Sequence, residues 1–381
     1  MTTLELYFAT NRKHQGDDRW HPTGYGTTFS DDGMENLRFG WLQVDVDQKT
    51  IDACLRRDVG FGTGDGEKLA DYLSGRAESA RIEAYAEKLR TDTAEVHQPN
   101  ARLGSRAMFK DLSADMQKAT DVLVYVHGFN VSWQDAVGSA LALQCMLNKE
   151  GVGDPEQKCA VVLFSWPSDG KALPLVSYKS DRSDAQGSGY AFGRALLKVR
   201  DFLAALRDKT RDGSPPCGQD VHLLCHSMGN WVLQNALARI AQFTTGPALP
   251  RLFEHIFLCA PDVDDNVLEP EQPMDRLHEL ARSVTVYHNR GDLAMHVSDY
   301  TKGNPDRLGM LGAAHPNLLH NKVHQVDCSP IVGGVVEHSY YMSGVVNGDI
   351  LLSIDGEPQD AASRRRRRSP TQANVWVMDR V

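Results

Sequence analysis

The stretch Val221-His222-Leu223-Leu224-Cys225-His226-Ser227-Met228-Gly229-Asn230-Trp231 decides the fold. An apolar strand pattern runs straight into a serine. A helical pattern follows at once over residues 228–242, with Trp231, Leu233, Leu237 and Ile240 on one face. A serine between a strand and a helix sits on a sharp turn that pushes its hydroxyl outward. Gly229 lets strand and helix approach closely, and Cys225 stands where a first glycine is usual. The start of the helix also places positive partial charge beside that hydroxyl. The plainer reading makes Ser227 an ordinary helix cap; the residues around it decide against that.

Upstream and downstream of this turn the chain alternates short apolar runs with amphipathic segments. Val122 to Val126, Ala160 to Phe164, Val221 to Leu224, His255 to Leu258 and Val284 to Tyr287 read as buried strands, with a last one over Val323 to Cys328. Helical spacing appears at 132–149, with Ser132 as its N-cap, and at 190–207. Strands nearly continuous in Val, Leu, Ile and Phe belong in a sheet covered on both sides. The fold class is therefore α/β, a mostly parallel central sheet with helices on both faces. Leu4 to Thr10 and Phe39 to Val46 read as further strands of that sheet, and residues 66–96 as a charged helical stretch. Residues 1–350 are expected to form a single domain with an insertion at about 50–115.

Composition narrows the function. Hydrophobic residues make up 41% and charged residues 24%, which is ordinary for a globular chain. The longest apolar runs are about five residues, far short of the roughly 20 needed to span a membrane. The start of the sequence has no basic segment followed by an apolar one, and the seven cysteines have no framework spacing. A cytoplasmic protein is the expectation. The 41 Lys and Arg against 50 Asp and Glu give a formal charge of −9, and five of those cations are Arg364 to Arg368. Without them the body is more acidic still, a poor platform for nucleic acid. Residues 351–381, with the Arg364–Arg368 run, read as a disordered, solvated tail. No metal-ligand spacing and no glycine-rich phosphate loop is present, so the expected chemistry needs no cofactor.

A serine nucleophile needs a base, an acid and an oxyanion hole. In chain order for this type of fold the acid precedes the histidine. Asp292, in Asn289-Arg290-Gly291-Asp292-Leu293, is the favoured acid; Asp262, in Pro261-Asp262-Val263-Asp264, is held in reserve, its plainer role being a helix cap. Of the histidines beyond Asp292 (His296, His315, His320, His324 and His338), His338 opens the segment after the last strand and is the expected base. After Val126 comes His127-Gly128-Phe129-Asn130. The backbone N–H groups of Phe129 and Met228 are the expected oxyanion donors, with Gly128 allowing close approach, and His127 is read as a structural ring holding the loop. Trp166, Tyr178, Phe192 and Trp231 are candidate pocket aromatics, although core positions suit them better.

Taken in order, His127-Gly128-Phe129-Asn130, Phe164-Ser165-Trp166-Pro167-Ser168, His226-Ser227-Met228-Gly229-Asn230, Ala260-Pro261-Asp262-Val263-Asp264 and His338-Ser339-Tyr340-Tyr341 resemble an uncharacterised bacterial esterase/lipase-like family of the α/β-hydrolase superfamily. Tyr7-Phe8-Ala9-Thr10-Asn11-Arg12 is similar too, so the likeness spans roughly residues 4–347. It implies the α/β-hydrolase fold and a serine-hydrolase site at Ser227, Asp292 and His338, and it supplies no substrate. Glu337 departs from the family pattern, which tends to have glycine there. The expected reaction is hydrolysis of a small-molecule ester; an amidase or peptidase, or a catalytically silent binding protein on the same fold, are the alternatives. Sequence leaves the oligomeric state open.

Overall fold

The computed structural model describes residues 2–56, 64–86, 104–116, 119–168, 174–209, 219–244, 246–295, 306–332 and 338–380. Among these, one large sheet dominates. Its N-terminal part contains β1 (Thr2–Thr10), β4 (Arg38–Val46) and β5 (Arg81–Ala84). Its centre is β6 (Asp121–Val126), β7 (Cys159–Ser165), β8 (Asp220–His226), β9 (Phe253–Cys259), β10 (Ala281–His288) and β11 (Val323–Asp327), and its C-terminal edge is β12 (Arg366–Arg368) and β13 (Val375–Met378). The spatial order is β12-β13-β11-β10-β9-β8-β6-β7-β1-β4-β5. From β1 through β13 the neighbours run parallel, whereas β4, β5 and β12 join antiparallel. A separate hairpin, β2 (Arg12–Gln15) with β3 (Gly24–Phe29), follows β1 directly.

Side-chain alternation on these strands feeds two cores. Leu123, Tyr125, Leu224, Phe257 and Tyr287 point into one. Val122, Val126, Leu223, Ile256 and Val286 point into the other. Helices α1 (Gln48–Cys54), α2 (Gly66–Ala77) and α3 (Gly104–Met116) come before β6. Helix α4 (Trp133–Leu147) and the helix Gly344–Ile354 cover the first face, while α5 (Pro174–Lys209) and α6 (Gly229–Gln242) cover the second. Burial on both faces is why these strands carry almost unbroken apolar sequence. No helix among the described residues is long and apolar enough to cross a membrane.

Three expectations need correction. The helix expected at 190–207 begins at Pro174 and runs for 36 residues. Ser180 to Gly189 looks like a loop because it is rich in Ser and Gly, yet Gly189, like Gly193 after it, is demanded by packing. A Cβ on Gly189 would lie 2.4 Å from Asn235 Cβ, and one on Gly193 would lie 2.9 Å from the Ala236 carbonyl, so α5 lies close against α6. The charged stretch expected to be helical over 66–96 ends as a helix, α2, at Ala77, and Arg81–Ala84 is an edge strand; residues 87–103 lie outside the described ones.

The third concerns residues 351–381, which are not a disordered tail. Arg364 and Arg366 are buried against Asp349 (Arg364 Nε to Asp349 Oδ1 2.7 Å, Arg366 Nη1 to Asp349 Oδ2 3.0 Å), and Tyr287 donates its hydroxyl to the same carboxylate at 2.6 Å. Strand alternation turns the neighbouring Arg367 outward to an exposed pair with Asp379. A run of five arginines hides this division, because composition cannot tell which side of a strand each one occupies.

Candidate active site

All the turns singled out above lie at the carboxyl ends of the parallel strands, where open α/β sheets bind ligands. Ser227 closes β8 with φ +51°, a left-handed backbone that a side chain with a Cβ adopts at a cost of roughly 1–2 kcal/mol. The chain holds it there. Ser227 N–H donates to the Cys259 carbonyl (2.9 Å), and the Ser227 carbonyl accepts from Asp262 N–H (3.2 Å) and Asn230 Nδ2 (3.0 Å). Asn230 also reaches the Cys225 carbonyl at 3.0 Å, which ties the first turn of α6 to the strand. Asn130 (φ +57°) and Ala260 (φ +44°) share this conformation on the flanking rim turns, so backbone strain concentrates here. Two glycines make the fit possible. A Cβ on Gly229 would lie 2.7 Å from the carbonyls of Val126 and His127, and one on Gly128 would lie 2.8 Å from Ser227 Cβ.

The structure brings His338 and Asp292 together: Nδ1 of the imidazole lies 2.7 Å from Asp292 Oδ2. The carboxylate is fully buried, and its other oxygen accepts Ala294 N–H at 3.1 Å, so both oxygens have partners. Asn289 shapes the turn by accepting Gly291 N–H on its side chain and Asp292 N–H on its carbonyl. An ionised carboxylate only accepts hydrogen bonds, so Nδ1 carries the proton and Nε2 keeps a free lone pair. Tyr340 fastens the His338 segment to β10 by donating to the Tyr287 carbonyl at 2.8 Å.

Asp262, the reserve acid, sits beside the same serine but in another network. It accepts the Tyr178 hydroxyl at 2.7 Å and lies 3.4 Å from the buried Arg307 guanidinium. Among the other histidines, His315 pairs with Glu269 (3.0 Å), His320 stacks on His278 (3.9 Å between ring centres) and His324 packs against Trp376. His296 and Glu337 lie outside the described residues.

The loop after β6 lies close against Ser227 at Gly128. Met228 stands at the N-cap of α6 and Phe129 near the tip of the loop; among the described residues the backbone N–H of neither is taken by another group. His127 is buried and its ring is fully engaged. Nδ1 donates to the Gly128 carbonyl (2.9 Å), Nε2 accepts Trp166 N–H (3.2 Å), and the ring stacks on Trp166. Burial, helped by the nearby Arg12 charge, lowers its pKa to about 3, so it stays neutral and serves as a loop brace. Trp166, Tyr178 and Phe192 are buried in the core, and Trp231 is half-buried with Arg182 over its ring.

Two residues gained no role from the sequence alone. His226 precedes Ser227, and its Nε2 donates to the His338 carbonyl at 3.3 Å, which ties the His338 backbone to the end of β8. Burial, then the nearness of His338, pushes its pKa well below the ordinary value. Arg12 lies fully buried against the loop that follows β6. Its only signal was a cation directly after an apolar strand, in a motif without assigned chemistry.

Sheet order, elbow and rim residues together define the α/β-hydrolase class. Residues 105–347 match the family described as "Alpha/beta hydrolase of unknown function (DUF900)", and the chain belongs to that family. It is also similar to the uncharacterized protein alr1448 of Nostoc sp. (strain PCC 7120 / SAG 25.82 / UTEX 2576), with 28% identity over 136 residues. That likeness covers 31% of this chain and 31% of the relative. The family match takes in Ser227, Asp262, Asp292 and His338, whereas β1 to β5 and β12 to β13 lie outside it.

Proposed function

We propose that this protein is a serine hydrolase that cleaves small carboxylic esters through an acyl-enzyme, with Ser227 as nucleophile, His338 as base and Asp292 as acid. The observation that carries the reading is the 2.7 Å contact of His338 Nδ1 with a buried Asp292, on the same sheet rim as a serine in a left-handed elbow. Ser227 Oγ attacks the ester carbonyl and gives its proton to His338 Nε2. The Phe129 and Met228 N–H groups receive the oxyanion, and Asp292 holds the imidazolium. Collapse expels the alcohol, which takes the proton from Nε2. Water then attacks the acyl group, its proton passing to Nε2, and the acid leaves as Ser227 recovers its own.

A fluorophosphonate probe and a series of short p-nitrophenyl esters test this directly. The wild-type chain should be labelled and should turn over esters, and Ser227→Ala should abolish both. Labelling that survives in Ser227→Ala removes the serine from its role. An intact wild-type chain that neither reacts nor hydrolyses any ester supports a binding protein instead, and turnover of peptide anilides in preference to esters moves the reading to an amidase.

A further inference from the structure

We propose that Arg12 and Asp181 are a positioning pair that sets the oxyanion loop, an inference that rests on the hydrolase reading above. The loop must meet two opposed demands. The Phe129 N–H has to stay unengaged so that it can meet an oxyanion, while its backbone has to be fixed closely, because a misplacement of about 1 Å can cost about 10²-fold in rate. The structure satisfies both by anchoring the residues on either side of Phe129.

On one side is Arg12. Its Nη2 donates to the Val131 carbonyl at 2.8 Å and lies 3.4 Å from His127 Nε2, so a single guanidinium grips the loop before and after its tip. Nε donates to Ser165 Oγ at 2.8 Å, and Nη1 donates to the carbonyls of Gly26 (3.0 Å) and Ser168 (3.4 Å). On the other side is Asp181, a buried carboxylate on α5. It accepts Asn130 N–H at 3.3 Å and the Ser168 hydroxyl at 2.6 Å, and Ser168 Oγ accepts Val131 N–H at 3.2 Å. Asn130, held at φ +57°, is the residue directly after the tip. Asp181 and Asp135 supply the negative charge that keeps the buried Arg12 protonated against the pull of burial.

Fold stability alone does not account for this arrangement. A buried charge pair is commonly no more stabilising than apolar residues of the same size, because both groups lose hydration. What charges add here is direction. The planar fork of an arginine fixes several carbonyls at once, as neither a lysine nor an apolar side chain can. All but one of the groups it binds belong to the two rim turns, 127–131 and 165–168, that flank the oxyanion position.

The test uses the full chain, p-nitrophenyl butyrate as substrate and a trifluoromethyl ketone as analogue of the tetrahedral intermediate, with active sites counted by burst titration. Arg12→Met should lower kcat per titrated site by about 10²-fold and weaken the ketone in parallel, leaving KM within about twofold, as expected when a stabilising donor is misplaced. Arg12→Lys should fall between Arg12→Met and wild type. Where Arg12→Met does not fold, the charge-balanced Arg12→Met/Asp181→Asn variant carries the same expectation. A purely structural role would lower the melting temperature and the number of titratable sites while leaving kcat per site at the wild-type value. That result, in either folded variant, overturns the inference while the hydrolase reading stands. Absence of Ser227-dependent turnover in the wild-type chain overturns both.

Discussion

Asp292 and Asp262 are both buried aspartates on turns that follow parallel strands, and what separates them is the partner each has taken. Asp292 gives one oxygen to the proposed base and the other to a backbone N–H of its own turn. Asp262 is committed to the Tyr178 hydroxyl and the Arg307 guanidinium. The two should therefore fail differently. Asp292→Asn keeps the shape but can favour the wrong imidazole tautomer, and should lower ester turnover by about 10³–10⁴-fold with little loss of stability. Asp262→Asn removes a charge facing a buried arginine and should cost about 3–5 kcal/mol in urea unfolding, with smaller loss of kcat in the fraction that remains folded. Comparing both variants by denaturation and by kcat per titrated site checks this, and the opposite pattern would make Asp262 the acid. The sequence offered both aspartates as rim residues and gave Asp292 the preference from its turn. The contact with His338, 46 positions away, is visible only in the fold, where the His338 segment lies beside the turn that follows β10.

At the level of elements, legibility followed burial. Central strands were readable because a strand covered on both faces must be apolar throughout, as in Val122 to Val126 and Val284 to Tyr287. The elbow was readable because a strand, a serine and a helix in immediate succession permit few other geometries. The first half of α5 was not, since Gly189 answers to α6 rather than to helix propensity. Gly189→Leu would place its Cβ 2.4 Å from Asn235 Cβ and should force the two helices apart, at about 1–3 kcal/mol in urea unfolding, the usual cost of overpacking. An unchanged midpoint would mean that α5 and α6 have slack between them. The arginine run was misleading for the converse reason, because charge normally marks solvent and two of these five side chains face inward. Arg364→Ala removes one of the two buried guanidiniums that face the Asp349 carboxylate and should destabilise by about 3 kcal/mol. Arg367→Ala touches only an exposed pair and should stay within about 1 kcal/mol of wild type. Equal effects of the two substitutions would contradict the division of the arginine run into buried and exposed side chains.

For the whole molecule, the main response to acid should come from histidines that folding keeps neutral. Burial, then Arg12, holds His127 at about 3; burial, then His222, holds His255 at about 3; burial, then Arg366, holds His324 at about 4. His226 and His288 are lowered by burial as well. Each would titrate near 6.5 in the unfolded chain. These are bases whose folded pKa lies below the unfolded one, so their stabilising contribution is intact above about pH 6.5. As the pH falls below that value the unfolded chain takes up protons that the folded one refuses, and stability drops by about 1.4 kcal/mol per pH unit for each such histidine. Asp355, raised to about 6 by burial, works with the opposite sign and offsets one of them. Denaturant unfolding at successive pH values from 7 to 5, a window above most carboxylate titration, should show a steep loss of stability. In His255→Gln the slope should be shallower by about one proton, because that residue no longer withholds one. A stability curve that is flat between pH 7 and 5 would mean that these histidines bind protons in the folded state. It would also make His127 a poor brace for the loop after β6, since a protonated Nε2 could no longer accept the Trp166 N–H that fixes the ring.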